Sequence, residues 1–303
     1  MAWLFPGQGS QQLGMGKTLA ERYPAAARAF DEASETLGID LRKLCSDGPQ
    51  DDLDRTANAQ PAIVTTSIAA LRAAQEEALP GGDPICLGHS VGEYSALVAA
   101  GALDLADAVR LVRRRGELMQ AADAAGGMAA VIGLDARAIE RAISGTSVVV
   151  ANDNAPGQVV ISGPLAALGD ATAALKAAGA RRVLPLRVSG AFHSPAMRAV
   201  ASDLRRAIDA VAWREMHYRV IANVDAAPHE HARDFAELLE RQVWSPVRWA
   251  ASVERASADG ATTFVEFGAG NVLTGLVKRI VRAARTASVS DPATLDATGA
   301  LFR

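Results

Sequence analysis

A short apolar run and a serine between two glycines stand together in Ile85-Cys86-Leu87-Gly88-His89-Ser90-Val91-Gly92. This is the pattern of a nucleophile elbow, a sharp turn between a buried strand and a helix. Glycine tolerates the unusual backbone angles and the close approach of neighbouring chain in such a turn. The helix that follows would leave the Val91 N–H unpaired for a developing oxyanion. The stretch therefore predicts an α/β fold with Ser90 as nucleophile, although a tight turn without catalytic function is an equally good explanation of these eight residues alone.

The composition is that of a globular protein, with 303 residues of which 50% are hydrophobic. This length allows one large domain or about two ordinary ones. The net charge of −3 argues against nucleic-acid binding and gives no electrostatic preference for anionic membranes. Cys45 and Cys86 lie far apart, so neither a disulfide framework nor a metal site is expected. With no export signal and no apolar run near the ~20 residues of a membrane span, we expect a cytoplasmic protein.

Strand and helix patterns alternate along most of the chain, which favours a mostly parallel sheet covered by helices. Residues 126–187 differ, because four short apolar runs and two helices follow one another there in the order strand, helix, strand, strand, helix, strand. We therefore predict an α/β-hydrolase-like large subdomain with a parallel sheet core, residues 1–125 and 188–303, into which a small ferredoxin-like subdomain, residues 126–187, is inserted. The longer helices of the large subdomain are predicted at 19–37, 61–77, 93–100, 104–122, 195–211, 235–243 and 271–284.

A nucleophilic serine needs a base, and the chain has five histidines. The side chain of His89 should leave the extended backbone on the face opposite to that of Ser90, which makes it a poor proton acceptor. His193 lies in a glycine-containing loop, residues 188–195, that leads from the small subdomain into a helix. A lone loop histidine is more often structural, so the elbow serine is what favours His193 as the base. Ordinary surface positions are the simpler interpretation for His217, His229 and His231.

Seven spaced motifs follow one another along the chain: Phe5-Pro6-Gly7-Gln8-Gly9-Ser10-Gln11, Gly88-His89-Ser90-Val91-Gly92-Glu93-Tyr94, Arg115-Gly116-Glu117-Leu118-Met119-Gln120, Asn152-Asp153-Asn154-Ala155-Pro156-Gly157-Gln158, Gly190-Ala191-Phe192-His193-Ser194-Pro195, Asn223-Val224-Asp225 and Gln242-Val243-Trp244-Ser245-Pro246-Val247-Arg248-Trp249. Together they closely resemble the malonyl-CoA:acyl carrier protein transacylase family. The resemblance runs in order from Trp3 to about Ile280. Seven motifs in the same order are far more specific than the elbow alone.

The resemblance implies a ping-pong acyl transfer. Ser90 would attack the thioester of malonyl-CoA, and His193 would take its proton and later activate the phosphopantetheine thiol of an acyl carrier protein. In the family a backbone carbonyl, rather than an acidic residue, orients the histidine, and the matching position is Gln242. The backbone N–H groups of Gln8 and Val91 match the oxyanion hole.

Two side chains would select the acyl group. In its predicted helix, Arg115 by itself is typical of a solvated residue favoured by the helix dipole. It matches the family's carboxylate-binding arginine, whose planar fork suits the free carboxylate of malonyl. Arg113 and Arg114 match no functional position and are interpreted as surface charge. Phe192 resembles the malonyl-selective form of its loop in polyketide acyltransferases and would leave less room for an α-methyl branch, whereas Gly190 stands where a histidine is often found.

No cofactor is expected, because the glycine loops at 7–9 and 268–270 complete neither the dinucleotide fingerprint nor a Walker pattern. The expected partners are malonyl-CoA and a phosphopantetheinylated acyl carrier protein, with no nucleic acid and no membrane, and the protein is expected to be a monomer. Four basic residues are spaced so that several of them are predicted to share a helical face: Lys278, Arg279, Arg282 and Arg285. We interpret this face as solvated, with steering of an acidic carrier protein as the alternative.

Three functions of different class remain open. The first is malonyl transfer to a carrier protein, for fatty-acid or polyketide synthesis or within a malonate decarboxylase. The second is a serine hydrolase or thioesterase on the same fold, for which the order serine, acid, histidine is expected. The third is a carrier-docking scaffold without catalytic activity. The first is favoured by the complete set Gln8, Ser90, Arg115, His193 and Gln242.

Overall fold

Two β-sheets organise the part of the chain that the structure describes. This computed structural model describes residues 1–78, 82–122 and 125–301. The large-subdomain prediction also covers residues 79–81, 123–124 and 302–303, which lie outside the described residues. The strands are β1 (Ala2–Phe5), β2 (Ile85–Gly88), β3 (Gly126–Ile132), β4 (Val149–Ala155), β5 (Gln158–Pro164), β6 (Arg182–Pro185), β7 (Val220–Ile221), β8 (Pro228–His229), β9 (Thr263–Phe267) and β10 (Arg285–Val289).

The larger sheet has the strand order β10-β9-β1-β2-β7-β8, and all of its pairings are parallel except that of β7 with β8. The two central strands, β1 and β2, are buried along their whole length, as is typical of a parallel sheet covered on both faces. They pair in a register that sets Phe5 opposite Gly88. The loop after β1 and the elbow after β2 therefore begin side by side at the carboxyl edge of the sheet, where α/β proteins form their sites.

Helices cover this sheet. Their observed bounds differ from the predicted ones chiefly near prolines. The predicted helix 19–37, for example, is interrupted at Tyr23, because the residue before Pro24 has an extended backbone. The helices of the described residues are α1 (Lys17–Arg22), α2 (Pro24–Leu37), α3 (Leu41–Asp47), α4 (Gln50–Asp54), α5 (Thr56–Glu76), α6 (Gly92–Ala99), α7 (Leu105–Ala122), α8 (Ala136–Ala142), α9 (Leu165–Ala177), α10 (Arg198–Asp209), α11 (Phe235–Gln242), α12 (Trp249–Ala258), α13 (Val272–Ile280) and α14 (Pro292–Ala300).

The smaller sheet is antiparallel, with the strand order β4-β5-β3-β6, and α8 and α9 lie between its strands in the chain. This is the connectivity of a ferredoxin-like unit. The predicted fold class, a mostly parallel α/β sheet with a second, ferredoxin-like sheet, is confirmed. The smaller sheet is joined to the large subdomain through β4, because the Asp153 N–H donates to the Val247 carbonyl at 2.9 Å and the Val247 N–H donates to the Ala151 carbonyl at 2.8 Å.

One prediction about the surface is wrong. The last predicted helix ends at Ile280 rather than at 284, and Arg285 lies in β10, where its guanidinium donates to Thr263 Oγ1 at 3.1 and 3.2 Å. Arg279 donates to the Gln158 side chain at 2.7 Å and the Pro156 carbonyl at 2.8 Å. The four basic residues of this region therefore do not share one helical face.

The elbow glycines are required by close contacts between backbones. A Cβ atom at Gly88 would lie 1.9 Å from the Gly92 carbonyl oxygen, and one at Gly92 would lie 2.1 Å from the Phe5 carbonyl oxygen. Real Cβ atoms do not approach backbone this closely, so the turn between β2 and α6 packs directly on the end of β1. Both glycines of the motif thus serve the geometry of the turn.

We expect Gly92→Ala to lower the free energy of unfolding by at least about 3 kcal/mol, because neither backbone can retreat without displacing a central strand. The matched control is Gly275→Ala in α13, where an added Cβ meets nothing within 4 Å. Alanine there should stabilise the protein by about 0.5–1 kcal/mol. Urea unfolding of the two variants measures both values. A Gly92→Ala protein within about 1 kcal/mol of the unsubstituted chain would contradict the packing argument.

Candidate active site

Ser90 occupies the tip of the turn between β2 and α6. Its φ of 52° lies in the left-handed region, which a residue other than glycine adopts only when its surroundings impose it. Asn223 provides that constraint, because its Oδ1 accepts from the Ser90 N–H at 2.7 Å and its Nδ2 donates to the Gly88 carbonyl at 2.6 Å. The hydroxyl of Ser90 is thus presented on a rigid turn at the carboxyl edge of the large sheet.

His193 lies against the Ser90 hydroxyl, with its Nε2 2.8 Å from the serine Oγ. Its Nδ1 lies 2.9 Å from the Gln242 carbonyl oxygen and 3.2 Å from that of Ser245. Because a carbonyl only accepts hydrogen bonds, Nδ1 must carry the ring proton, and Nε2 presents its lone pair to the serine. Burial, followed by the positive charge of Arg115, lowers the pKa of His193 to about 3. The imidazole is therefore neutral and able to accept a proton.

Two backbone donors predicted for an oxyanion lie next to this pair. Gln8 belongs to the loop that follows β1, and Val91 immediately precedes the first residue of α6. Among the backbone and side-chain hydrogen bonds of the described residues, neither the Gln8 N–H nor the Val91 N–H is a donor. Both groups are available to a ligand, which is what an oxyanion hole requires.

Arg115 is buried rather than solvated, with only 1% of its surface exposed. Its Nη2 donates to Ser90 Oγ at 3.1 Å and to Gln242 Oε1 at 3.0 Å, and its Nη1 donates to Gln60 Oε1 at 2.9 Å. Burial lowers the pKa of the guanidinium, yet arginine stays cationic at any ordinary pH. The fold thus places a buried positive charge in contact with the serine hydroxyl.

A buried carboxyl lies beneath the elbow and was not singled out from the sequence. Glu93 Oε2 accepts from the Asn223 N–H at 2.9 Å and from Gln242 Nε2 at 3.0 Å. Gln242 Nε2 also donates to the Ser90 carbonyl at 3.0 Å. Burial raises the pKa of Glu93 to about 7. Two signals in the sequence could have indicated these buried polar contacts. Glu93 lies in the apolar helix α6, and Gln60 lies in the apolar helix α5.

Ser90 and His193 open into a pocket of about 460 Å³. Phe192, which is 5% exposed, lines it beside Ser90 and His193, together with Met119 and Met128. Asn152 and Asn154 of β4 and Gln158 of β5 line another part. The pocket therefore lies between the two sheets and has both apolar and amide-bearing walls.

Within the described part of the chain, the other candidate residues, His89, His229, Arg113 and Arg114, make no hydrogen bond to Ser90 Oγ or to the His193 ring. His89 turns its Nε2–H to Asn154 Oδ1 at 2.8 Å and makes no hydrogen bond to Ser90 Oγ. His229 pairs with Asp225 at 3.1 Å. Arg114 is a surface charge, as predicted, but Arg113 is only partly so, because its Nη1 donates to Asn58 Oδ1 at 2.6 Å.

Two other features are absent from the part of the chain that the structure describes. None of its helices is both long enough and apolar enough to cross a membrane. Within residues 1–78, 82–122 and 125–301, no group of three or more His, Cys, Asp and Glu side chains could hold a metal ion.

The fold and the geometry of this site define an α/β protein of the nucleophile-elbow class. Residues 2–295 match the acyl transferase domain family. A malonyl CoA-acyl carrier protein transacylase of Bacillus subtilis (strain 168) is 47% identical over an alignment 303 residues long, which covers 98% of this chain and 95% of that protein. The chain therefore belongs to the malonyl CoA-acyl carrier protein transacylase family.

Solved structures agree with this assignment. An acyl carrier protein S-malonyltransferase from Vibrio cholerae is similar at a TM-score of 0.93 and 44% identity, covering 98% of both chains. A malonyl-transacylase solved in complex with a type II PKS acyl-carrier protein is similar at a TM-score of 0.94 and 42% identity, covering 99% of both chains.

Proposed function

We propose that this enzyme transfers a malonyl group from malonyl-CoA to the phosphopantetheine thiol of an acyl carrier protein, for fatty-acid or polyketide synthesis, through a malonyl ester of Ser90. The observation that carries the proposal is the buried cation of Arg115 in contact with the Ser90–His193 pair. The pair provides a nucleophile and a base, and the cation would bind the free carboxylate of a substrate.

In the first half-reaction, Ser90 Oγ attacks the thioester carbonyl carbon while His193 Nε2 takes the hydroxyl proton. The carbonyl oxygen becomes an oxyanion, which the Gln8 and Val91 N–H groups would bind. The carbon–sulfur bond then breaks, and the proton held by His193 passes to the departing CoA sulfur. The carbonyl oxygens at Nδ1 stabilise the transient imidazolium in the orientation that this exchange requires.

In the second half-reaction the same groups act in reverse order. His193 takes the proton of the pantetheine thiol, and the thiolate attacks the malonyl ester. The ester bond to Ser90 breaks, and its oxygen recovers the proton from His193. The histidine begins and ends each half-reaction neutral, and the two carbonyl oxygens at Nδ1 occupy the position that a carboxylate has in other triads.

The position of Arg115 fits a short acyl group with a carboxylate at its far end. In malonyl only one methylene separates the carboxylate from the carbonyl carbon that Ser90 attacks, so the binding cation must stand close to the nucleophile. The 3.1 Å contact of Arg115 Nη2 with Ser90 Oγ supports this arrangement. Phe192 would narrow the space for an α-methyl branch, which discriminates by only ~1–3 kcal/mol, so preference rather than strict exclusion is expected.

We also propose that the chain acts as a monomer whose small subdomain is residues 126–187 and whose large subdomain is residues 1–125 and 188–303. The pocket is lined from both sheets of a single chain, which supports a site complete without a second copy.

The neutral state of His193 leads to a prediction about pH. We expect the rate of Ser90 acylation by malonyl-CoA to show no loss from protonation of His193 between pH 8 and 5, because its pKa of about 3 keeps the base neutral. A histidine with the ordinary pKa of about 6.5 would be neutral in only about 3% of molecules at pH 5, and the rate would fall about 30-fold. Rapid-quench mass measurement of the ester across this range distinguishes the two cases.

The experiment that tests the function follows one acyl group from donor to acceptor. Intact-protein mass is measured after mixing with malonyl-CoA, and again after adding a phosphopantetheinylated acyl carrier protein. A malonyl adduct on Ser90 that then moves to the carrier supports the proposal. Rapid hydrolysis without acylation of the carrier would instead assign a serine hydrolase, and absence of any adduct would assign a scaffold.

A further inference from the structure

We propose that Gln60 and Gln242 determine the substrate class, because their uncharged side-chain oxygens hold Arg115 in place without neutralising it. We call these two side chains the amide clamp. The inference rests on the proposed function and deepens it: the clamp keeps the cation available, so that acyl thioesters with a free carboxylate are preferred over neutral ones.

The first observation is the close packing of the two helices that carry the clamp and the cation. At Gly116, the residue after Arg115, an added Cβ would lie 2.7 Å from the Ala57 Cα and 2.7 Å from the Thr56 carbonyl oxygen. Helices α5 and α7 therefore touch through their backbones beside the site. This approach brings Gln60, which is fully buried, within 2.9 Å of the guanidinium.

The second observation is the chemistry of the acceptors around Arg115. Its N–H groups donate to the Gln60 and Gln242 side-chain oxygens and to the Ser90 hydroxyl, none of which carries a formal charge. Its buried Nε has no hydrogen-bond partner among the described residues. A buried cation with neutral acceptors and no paired anion is costly, and an arriving carboxylate relieves that cost.

The third observation concerns the nearest carboxyl group. Glu93 makes no ion pair with Arg115, because the Gln242 amide stands between them, donating from Nε2 to Glu93 and accepting at Oε1 from Arg115. The amide thus fixes both groups while keeping them apart. Gln242 also contributes its main-chain carbonyl to His193, so one residue orients the base and the cation through different atoms.

Glutamate in place of a clamp residue would change the charge without changing the shape. A carboxylate at position 60 would pair with the guanidinium that Gln60 now contacts through its amide oxygen. The substrate carboxylate would then have to compete with a partner that is always present. The clamp consequently needs an acceptor that is polar, of this length and uncharged, and the glutamine side chain meets all three requirements.

The test compares Gln60→Glu with Gln75→Glu, which adds the same charge to an exposed position on α5 about 22 Å further along the helix. Acylation of Ser90 is measured with malonyl-CoA and with acetyl-CoA, and the neutral acetyl group reports on folding, nucleophile and base. We expect Gln60→Glu to lower kcat/KM for malonyl-CoA about 100-fold, mainly through KM, while acetyl-CoA changes little. Gln75→Glu should leave both unchanged.

Equal losses with both donors would overturn the proposal, since they would show a merely structural role, and so would an unchanged malonyl preference. If Gln60→Glu does not fold, Gln242→Met tests the same idea, because it removes the side-chain oxygen and keeps the main-chain carbonyl at His193. It should lower malonyl use about 10-fold more than acetyl use, and equal effects would again contradict the clamp. Failure of the proposed function is a separate result, namely no malonyl ester on the unsubstituted enzyme.

Discussion

Ser90→Ala is expected to abolish the malonyl ester and to lower transfer from malonyl-CoA to the carrier protein by at least about 10⁴-fold. The hydroxyl that His193 contacts at 2.8 Å is the only part of the elbow that can form the ester, and water cannot substitute for it in a ping-pong reaction. Intact-protein mass measures the ester, and transfer to a phosphopantetheinylated carrier protein measures turnover.

The matched control for this variant is Ser95→Ala. Ser95 lies in α6, the helix that follows the elbow, is fully buried, and its hydroxyl has no hydrogen-bond partner among the described residues. Its loss should leave both ester formation and transfer near the unsubstituted values. A malonyl adduct that persists in Ser90→Ala, located by peptide mapping on another residue, would show that the elbow serine is not the nucleophile.

Arg115→Ala is expected to lower acylation by malonyl-CoA by about 10²–10³-fold and to raise the use of acetyl-CoA relative to malonyl-CoA. The substitution removes the buried cation beside Ser90, so the malonyl carboxylate would enter the pocket without a partner. The acetyl group carries no charge, so its binding should not depend on the Arg115 cation. The ratio of kcat/KM for the two donors is the measurement.

Arg114→Ala is the matched control. The Arg114 side chain is 48% exposed, and its ion pair is a surface contact of 3.8 Å with Glu117 on the same helix. Exposed pairs of this kind contribute about 0–1 kcal/mol, so donor preference should not change. If Arg115→Ala kept its malonyl activity, or lost activity equally with both donors, the carboxylate role of Arg115 would be wrong.

The start of α5 shows why part of the site was hidden in the sequence. The spacing of apolar residues predicted a helix at 61–77 and left Gln60 outside it. In the structure α5 begins at Thr56, and Pro61 lies inside the helix. The carbonyl of Ala57, which Pro61 cannot satisfy, accepts instead from Arg113 Nη1 at 3.3 Å. This donor comes from α7, and no local pattern contains that information.

The elbow was predictable because its sequence pattern lies within eight residues. An apolar run, two glycines and a serine are together typical of a buried strand, a sharp turn and a helix start. Resemblance over seven motifs then extended the prediction to His193, Gln8 and Arg115. What those patterns could not contain is which groups meet across the fold.

Contacts between distant parts of the chain decided the remainder of the site. Arg115 meets a glutamine 55 positions before it and another 127 positions after it, and an asparagine 133 positions beyond Ser90 holds the turn. Parallel strand pairing brings the loops after β1 and β2 to one edge, and helix packing at Gly116 brings α5 to α7. These contacts follow from three-dimensional packing, whereas the sequence pattern of the elbow is local, because the steric limits of a sharp turn act on a few consecutive residues.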